Sequence, residues 1–189
     1  MTFGHLTPHM DDVLSPFIQN KEVWDLGAGS LGYAKHLLRL GAGSVVAVDK
    51  EGFQPSRYKG HNILPVERYF ADVQVPPEGI RVAWVSWPTN HSLYGLLPLL
   101  MASDVVVYLG SNTSGSACGW PALYNHFHSR EILAHVPHQR NTLAVYGRTI
   151  PGRGPLIGEE LAALAGQFLD FEEAEEQAIR AARIVQEAV

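Results

Sequence analysis

Apolar and polar positions alternate along this chain in a way that predicts strands and helices in turn. Val23–Leu26 is a short apolar run that ends in Gly27-Ala28-Gly29, and Leu31–Leu40 follows with helical spacing at Leu31, Ala34, Leu37 and Leu38. Val45–Val48 predicts a second buried strand closed by Asp49, and a third, weaker one lies near Val66–Ala71. Val82–Val85, a helix from about His91 to Ala102, and a strand over Asp104–Leu109 continue the alternation. A Gly/Ser-rich loop, Gly110–Gly119, leads to a helix near Pro121–His128. The ending changes. Glu131–Val136 and Thr142–Tyr146 are strand-like runs whose five-residue connection cannot hold a crossover helix, so they pair antiparallel. The Pro-rich stretch Val73–Ile80 is too short for a good helix, which trims one crossover.

These elements predict an α/β fold: a Rossmann-like, mostly parallel sheet of about seven strands, with helices on both faces and a C-terminal antiparallel hairpin. Residues 1–155 form that domain, with an N-terminal helix inside residues 1–20. Residues 156–189 are a helical extension, with apolar positions at Ile157, Leu161, Leu164 and Phe168 and a second helix capped by Asp170. The bland reading of that extension is a helix pair packed on the sheet; the functional one is a homodimer or partner-subunit surface.

Charge sharpens this division. Residues 1–157 carry a balance of +1, whereas residues 158–189 carry −6, so the acidic extension sets the net charge of −5. The body lacks a strong basic footprint, though basic stretches occur at Lys50/Arg57/Lys59/Arg68 and at Arg130/Arg140/Arg148/Arg153. At 189 residues, 46% hydrophobic and 17% charged, the chain can bury one ordinary core. No apolar run approaches the about 20 residues of a membrane span. One cysteine, Cys118, excludes an internal disulfide. These features predict a soluble cytoplasmic domain without a membrane partner.

The densest chemistry lies in Asp25-Leu26-Gly27-Ala28-Gly29-Ser30-Leu31-Gly32, which follows a strand, opens a helix, and has Asp49 at the tip of the next strand. In that context a glycine loop signifies a nucleotide-type cofactor, and Asp49 can accept hydrogen bonds from ribose hydroxyls. Gly27-x-Gly29-x-x-Gly32 also fits a dinucleotide, whose pyrophosphate would face the helix N-terminus. Asp25 would repel that dianion. It suits an ammonium and a sulfonium instead, which S-adenosylmethionine carries.

Val23–Glu51 resembles the cofactor half of class I S-adenosylmethionine-dependent methyltransferases, and the order of elements over residues 7–148 is similar to that family's seven-stranded sheet. The resemblance implies that Asp25, Gly27 and Gly29 contact the methionine end, Asp49 the ribose, and Asp72 the adenine amino group. Val85-Ser86-Trp87-Pro88-Thr89-Asn90 resembles the amino-methyltransferase motif, in which Asp, Asn or Ser is followed by two prolines and an aromatic. Ser86 and Pro88 match; Trp87 replaces the first proline, and Thr89 stands where the aromatic belongs. The resemblance implies that Ser86, Trp87 and Pro88 orient the acceptor amine in a cleft at the sheet's carboxyl edge. Thr7-Pro8 resembles the segment that closes over the cofactor in adenine amino-methyltransferases, and is equally a good helix start.

The resulting expectation is an N-directed methyltransferase acting on a nucleobase, protein or small molecule. Two rivals stay open: a catalytically inactive scaffold or partner subunit, and an NAD-dependent oxidoreductase. His126-x-His128 and His135-x-x-His138 lack further ligands in sequence, so no metal is expected. Gly110–Ser116 lacks the lysine of a phosphate loop and reads as a loop or lid.

Overall fold

The computed structural model describes residues 6–88, 93–111, 127, 129–138 and 141–151. Its centre is a seven-stranded sheet in the order β3-β2-β1-β4-β5-β7-β6. The strands are β1 (Glu22–Leu26), β2 (Ser44–Asp49), β3 (Ile63–Glu67), β4 (Ile80–Ser86), β5 (Ser103–Ser111), β6 (Arg130–His138) and β7 (Asn141–Thr149). The first five pair in parallel, and β7 runs antiparallel between β5 and β6. The expected hairpin is present, and its second strand inserts beside β5.

Two layers of helix cover the sheet. Helix α1 (Pro8–Ile18) starts where the Thr7 side chain accepts from the Met10 amide at 3.2 Å and Pro8 occupies the first turn. Met10, Leu14 and Ile18 recur every fourth residue, so one stripe turns inward. With Leu31 and with Ala34 and Leu37 of α2 (Gly32–Arg39) they pack on Val23, Val45, Val82 and Trp84. His36 ties the two helices together through a 2.8 Å contact with Asp11. On the opposite face Leu96, Leu97, Leu99 and Leu100 of α4 (Leu93–Met101) pack on Trp24, Leu26, Val85 and Val106. Alternation along the strands thus feeds both cores.

The third strand lies earlier than its predicted position near Val66–Ala71. Pro65 within Ile63–Glu67 argues against a strand, yet β3 is an edge strand that pairs with β2 alone, so a missing donor is tolerated there. The chain then turns through a 3₁₀ segment, Phe70–Asp72, so Asp72 stands in that turn and not at the strand tip. Only the single turn α3 (Pro55–Tyr58) links β2 to β3, and β3 is linked to β4 by the 3₁₀ turn without an α-helix. The expected Gly110–Gly119 loop beyond Ser111, the Pro121–His128 helix apart from Phe127, and the extension 156–189 lie outside the described residues.

The amino edge of the sheet holds a buried cation. Arg130 is 2% exposed and donates to the carbonyls of Leu100, Ser103 and Gly147 at 2.6–2.9 Å. One guanidinium therefore joins the end of α4 to β5 and β7. Burial pulls its pKa down to about 10, against the attraction of Asp104, so it stays charged at neutral pH. Arg130→Ala would strand three carbonyls at about 1 kcal/mol each. Urea unfolding is expected to show a loss of about 3 kcal/mol, and a loss below about 1 kcal/mol would mean that the clamp is dispensable.

Candidate functional site

The carboxyl edge of the sheet opens into a cleft of about 510 Å³, within the range of cofactor-sized sites. Three parts of the chain build it. The first is the turn after β1. Gly27 (φ +89°) and Gly29 (φ +49°) adopt left-handed backbone conformations that L side chains rarely take, and Leu31 (φ +64°) is forced into one before α2 starts. A Cβ on Gly27 would stand 3.8 Å from Phe70 Cζ, inside the cleft that both residues line.

The second part is the tip of β2. The Gly27 and Ala28 amides donate to the Val48 carbonyl at 2.8 and 3.1 Å, and the Gly29 amide donates to Asp49 Oδ2 at 2.8 Å. Asp49 Oδ1 accepts from the Glu51 amide at 3.1 Å. Each carboxylate oxygen thus holds one backbone donor and keeps a lone pair for another. The Arg68 amide donates to the Asp49 carbonyl at 2.9 Å, so the end of β3 is pinned to the same tip.

The third part is the end of β4 with the start of α4. Ser86 and Pro88 line the cleft with Trp87, whose φ of +50° is strained for a bulky residue. The Trp87 amide donates to the Leu109 carbonyl at 2.8 Å, which holds this turn against β5. Gly95 closes the far wall. A Cβ there would fall 2.3 Å from the Ala71 nitrogen, so only glycine lets α4 approach the Phe70–Ala71 backbone this closely.

The structure brings Gly27, Asp49, Ser86, Trp87 and Pro88 to one cleft. Gly29 joins through its bond to Asp49. Asp72 is exposed and adjoins the lining residues Tyr69–Ala71 without being one of them. Thr7 caps α1 and does not line the cleft. Sequence reasoning missed Lys50, Arg68, Tyr69, Phe70, Gly95 and Leu96 as lining residues. The available signals were Lys50 beside Asp49 and a glycine inside a leucine-rich helix. Among the described residues no three His, Cys, Asp or Glu side chains gather as a metal site. The His135 ring instead contacts the Thr142 hydroxyl at 2.9 Å, and His126 and His128 lie outside the described residues. No helix among the described residues is long and apolar enough to cross a membrane.

Asp25 is the anomaly. It sits on the inner strand β1 with no exposure, and neither carboxylate oxygen has a hydrogen-bond partner. It does not line the cleft; it lies behind the glycine turn, near Tyr33 and Ala34 of α2. Burial, then repulsion from Asp49, raises its pKa from 3.8 to about 7, while the nearby Ala34 amide pulls the other way. Tyr33 is itself pushed up to about 12, first by burial and then by Asp25.

No family model matches the sequence, and no curated protein matches it. Solved structures do match the fold. A Pyrococcus horikoshii protein proposed to be an RNA methyltransferase superposes with a TM-score of 0.58 at 16% identity, over 77% of this chain and 82% of that one. The 23S rRNA methyltransferase ErmE gives 0.54 at 15% identity, over 86% and 75% of the chains. The ribosomal protein L11 methylase of Lactobacillus delbrueckii subsp. bulgaricus gives 0.54 at 18%, over 75% and 79%.

The buried carboxylate has a measurable signature. Between pH about 4 and 7 the folded state keeps a proton on Asp25 that the unfolded chain releases, so the stability contribution falls as pH rises through that window. Asp25→Asn removes this slope. The variant is expected to gain stability over the parent with rising pH, levelling off above pH 7, in chemical unfolding at pH 5, 6, 7 and 8. A variant that is less stable than the parent at pH 8 would show that Asp25 is compensated in the fold.

Proposed function

We propose that this chain, which has the fold of class I S-adenosylmethionine-dependent methyltransferases, binds that cofactor and transfers its methyl group to an amino nitrogen. The single observation that carries the reading is Asp25: a carboxylate on an inner strand, fully buried behind the glycine turn, with only the Ala34 amide near it and no hydrogen bond formed. Such a group is costly unless a cation completes it. An ammonium at the turn would do so, and a pyrophosphate would be repelled. The reversed β7 also departs from the order of dinucleotide-binding sheets, which weighs against an oxidoreductase.

The remaining residues fit the same ligand. Asp49 has one free acceptor site on each oxygen, the number a pair of ribose hydroxyls uses. Phe70 and Leu96 give the cleft apolar walls, and Gly27 leaves room for a ligand against the backbone. Asp72, one residue beyond the lining segment, is the candidate for the adenine amino group, and Thr7 for contact from the N-terminal side. The bound cofactor would supply an electrophilic methyl carbon on a positive sulfur, with a neutral thioether as the leaving group. This chain's part is placement. The Ser86 hydroxyl accepts one amine hydrogen, turning the nitrogen lone pair toward the methyl carbon, and Trp87 and Pro88 wall the acceptor. The nitrogen's proton is lost to solvent after transfer.

Calorimetric titration with S-adenosylhomocysteine tests this directly. Saturable binding is expected, with no binding of NADH. Asp49→Ala and Asp25→Asn are each expected to weaken it at least tenfold, since a hydrogen bond to a charged group contributes about 1.5–3 kcal/mol. Ser86→Ala should keep product binding and lower the transfer rate. Absence of homocysteine-product binding would overturn the reading and favour a scaffold.

A further inference from the structure

The cleft's outer wall points to the chemistry of the acceptor. Most described arginines are engaged: Arg39 with His36, Arg81 and Arg148 with Asp104, and Arg130 with its three carbonyls. Lys21 is held by the Phe17 carbonyl. Among the described Lys and Arg residues five have no partner, and four of them fall between the end of β2 and the residue that follows β3: Lys50, Arg57, Lys59 and Arg68. Two of these, Lys50 and Arg68, line the cleft. The carboxylate next to Arg68 in sequence, Glu67, is turned against Gly52, where a Cβ would stand 2.9 Å from it.

Tyr69 adds a second kind of contact. It lines the same cleft as Lys50 and Arg68 and is 67% exposed, an aromatic ring left in water. S-adenosylmethionine carries one carboxylate and no phosphate, and its net charge is positive, so it accounts for one of these cations at most and an amine for none. A polyanion accounts for both. A flat ring that shares a cleft with cations suits phosphates with bases between them, since every base has a face to stack. An acidic peptide would satisfy the cations and leave the ring unused. The cleft is too small for a duplex, so the reactive base must enter unpaired.

We infer that the acceptor amine belongs to a base of a single-stranded nucleic acid, whose phosphates are held by Lys50 and Arg68 while Tyr69 stacks on a neighbouring base. This rests on the methyltransferase reading of the cleft. The order β3-β2-β1-β4 sets Arg68 three strand spacings from Ser86, about 14 Å at roughly 4.8 Å each. A strand of a few nucleotides crosses that distance along the carboxyl edge, with one base at Ser86 and its neighbours' phosphates at the cationic wall.

The test is fluorescence anisotropy of the full chain with a labelled mixed-sequence 12-nucleotide RNA, the matching DNA, a hairpin duplex and polyglutamate as competitors. Both single strands should bind and the hairpin and polyglutamate should compete poorly; a preference for RNA or DNA identifies the source. Lys50→Ala/Arg68→Ala is expected to weaken strand binding at least tenfold and to flatten the salt slope by about 1.4, from about 0.7 per lost phosphate contact on a single strand. Tyr69→Ala should weaken binding about tenfold with the slope unchanged. Arg81→Ala/Arg148→Ala, which removes two cations from the opposite edge, should leave binding unaltered. An unchanged slope in Lys50→Ala/Arg68→Ala, or equal binding of polyglutamate, would overturn the inference. Homocysteine-product binding without strand binding would overturn the acceptor class alone. Strand binding that depends on Lys50 and Arg68, without product binding, would overturn the transferase reading and leave the docking wall standing.

Discussion

Three backbone amides after β1 reach across to the tip of β2, two to the Val48 carbonyl and one to the Asp49 carboxylate. That small set of bonds fixes where the site can be. It requires left-handed backbone at Gly27 and Gly29, it orients Asp49 along the rim, and it sets Gly27 in the cleft wall facing Phe70. Because Arg68 bonds the Asp49 carbonyl, the end of β3 follows the same tip, and the outer wall of the cleft follows with it. At the other end, the Trp87 amide on the Leu109 carbonyl ties the β4 turn to β5. The cleft is therefore a consequence of how neighbouring strand ends satisfy one another's backbone groups.

Stability and chemistry pull against each other at Asp25. A small apolar residue at that point of the inner strand would suit the core better than an unpartnered carboxylate does. The fold tolerates it because two large apolar layers and the Arg130 clamp supply stability elsewhere. Trp87 is a second local expense, a bulky side chain with φ of +50° at a strand end. Both features lie at the carboxyl edge or directly behind it, whereas at the amino edge Arg130 satisfies three carbonyls. Unfavourable local energies cluster where a ligand could relieve them.

Much of this was legible from residue order. The β1–turn–α2 unit, Asp49 at the next tip and the final hairpin each rest on local signals: a short apolar run, glycines, and a connection too short for a crossover. Asp72 and β3 were harder to place. Pro65 reads as a breaker unless the strand is known to lie on an edge, and edge position is a property of the whole sheet. The far wall is only faintly marked: Gly95 shows as a glycine inside a leucine-rich helix, with no local sign of what packs on it. Glycine at 95 matters because the Phe70–Ala71 backbone packs on it, and that segment is more than twenty residues away in the chain.

The sequence by itself determined the alternation of elements, the glycine turn and the identity of the acidic groups beside it, because periodicity and backbone freedom are local properties. Only the tertiary structure decided that Asp25 is buried behind the glycine turn while Asp49 lines the cleft. It also decided that Lys50 and Arg68 line one cleft with Tyr69. The physical reason is that side-chain direction along a strand alternates with register, and which face becomes core depends on the helices packed there. Partnering of charges depends likewise on which strands become neighbours, and strand order is set by how the whole sheet buries its two faces.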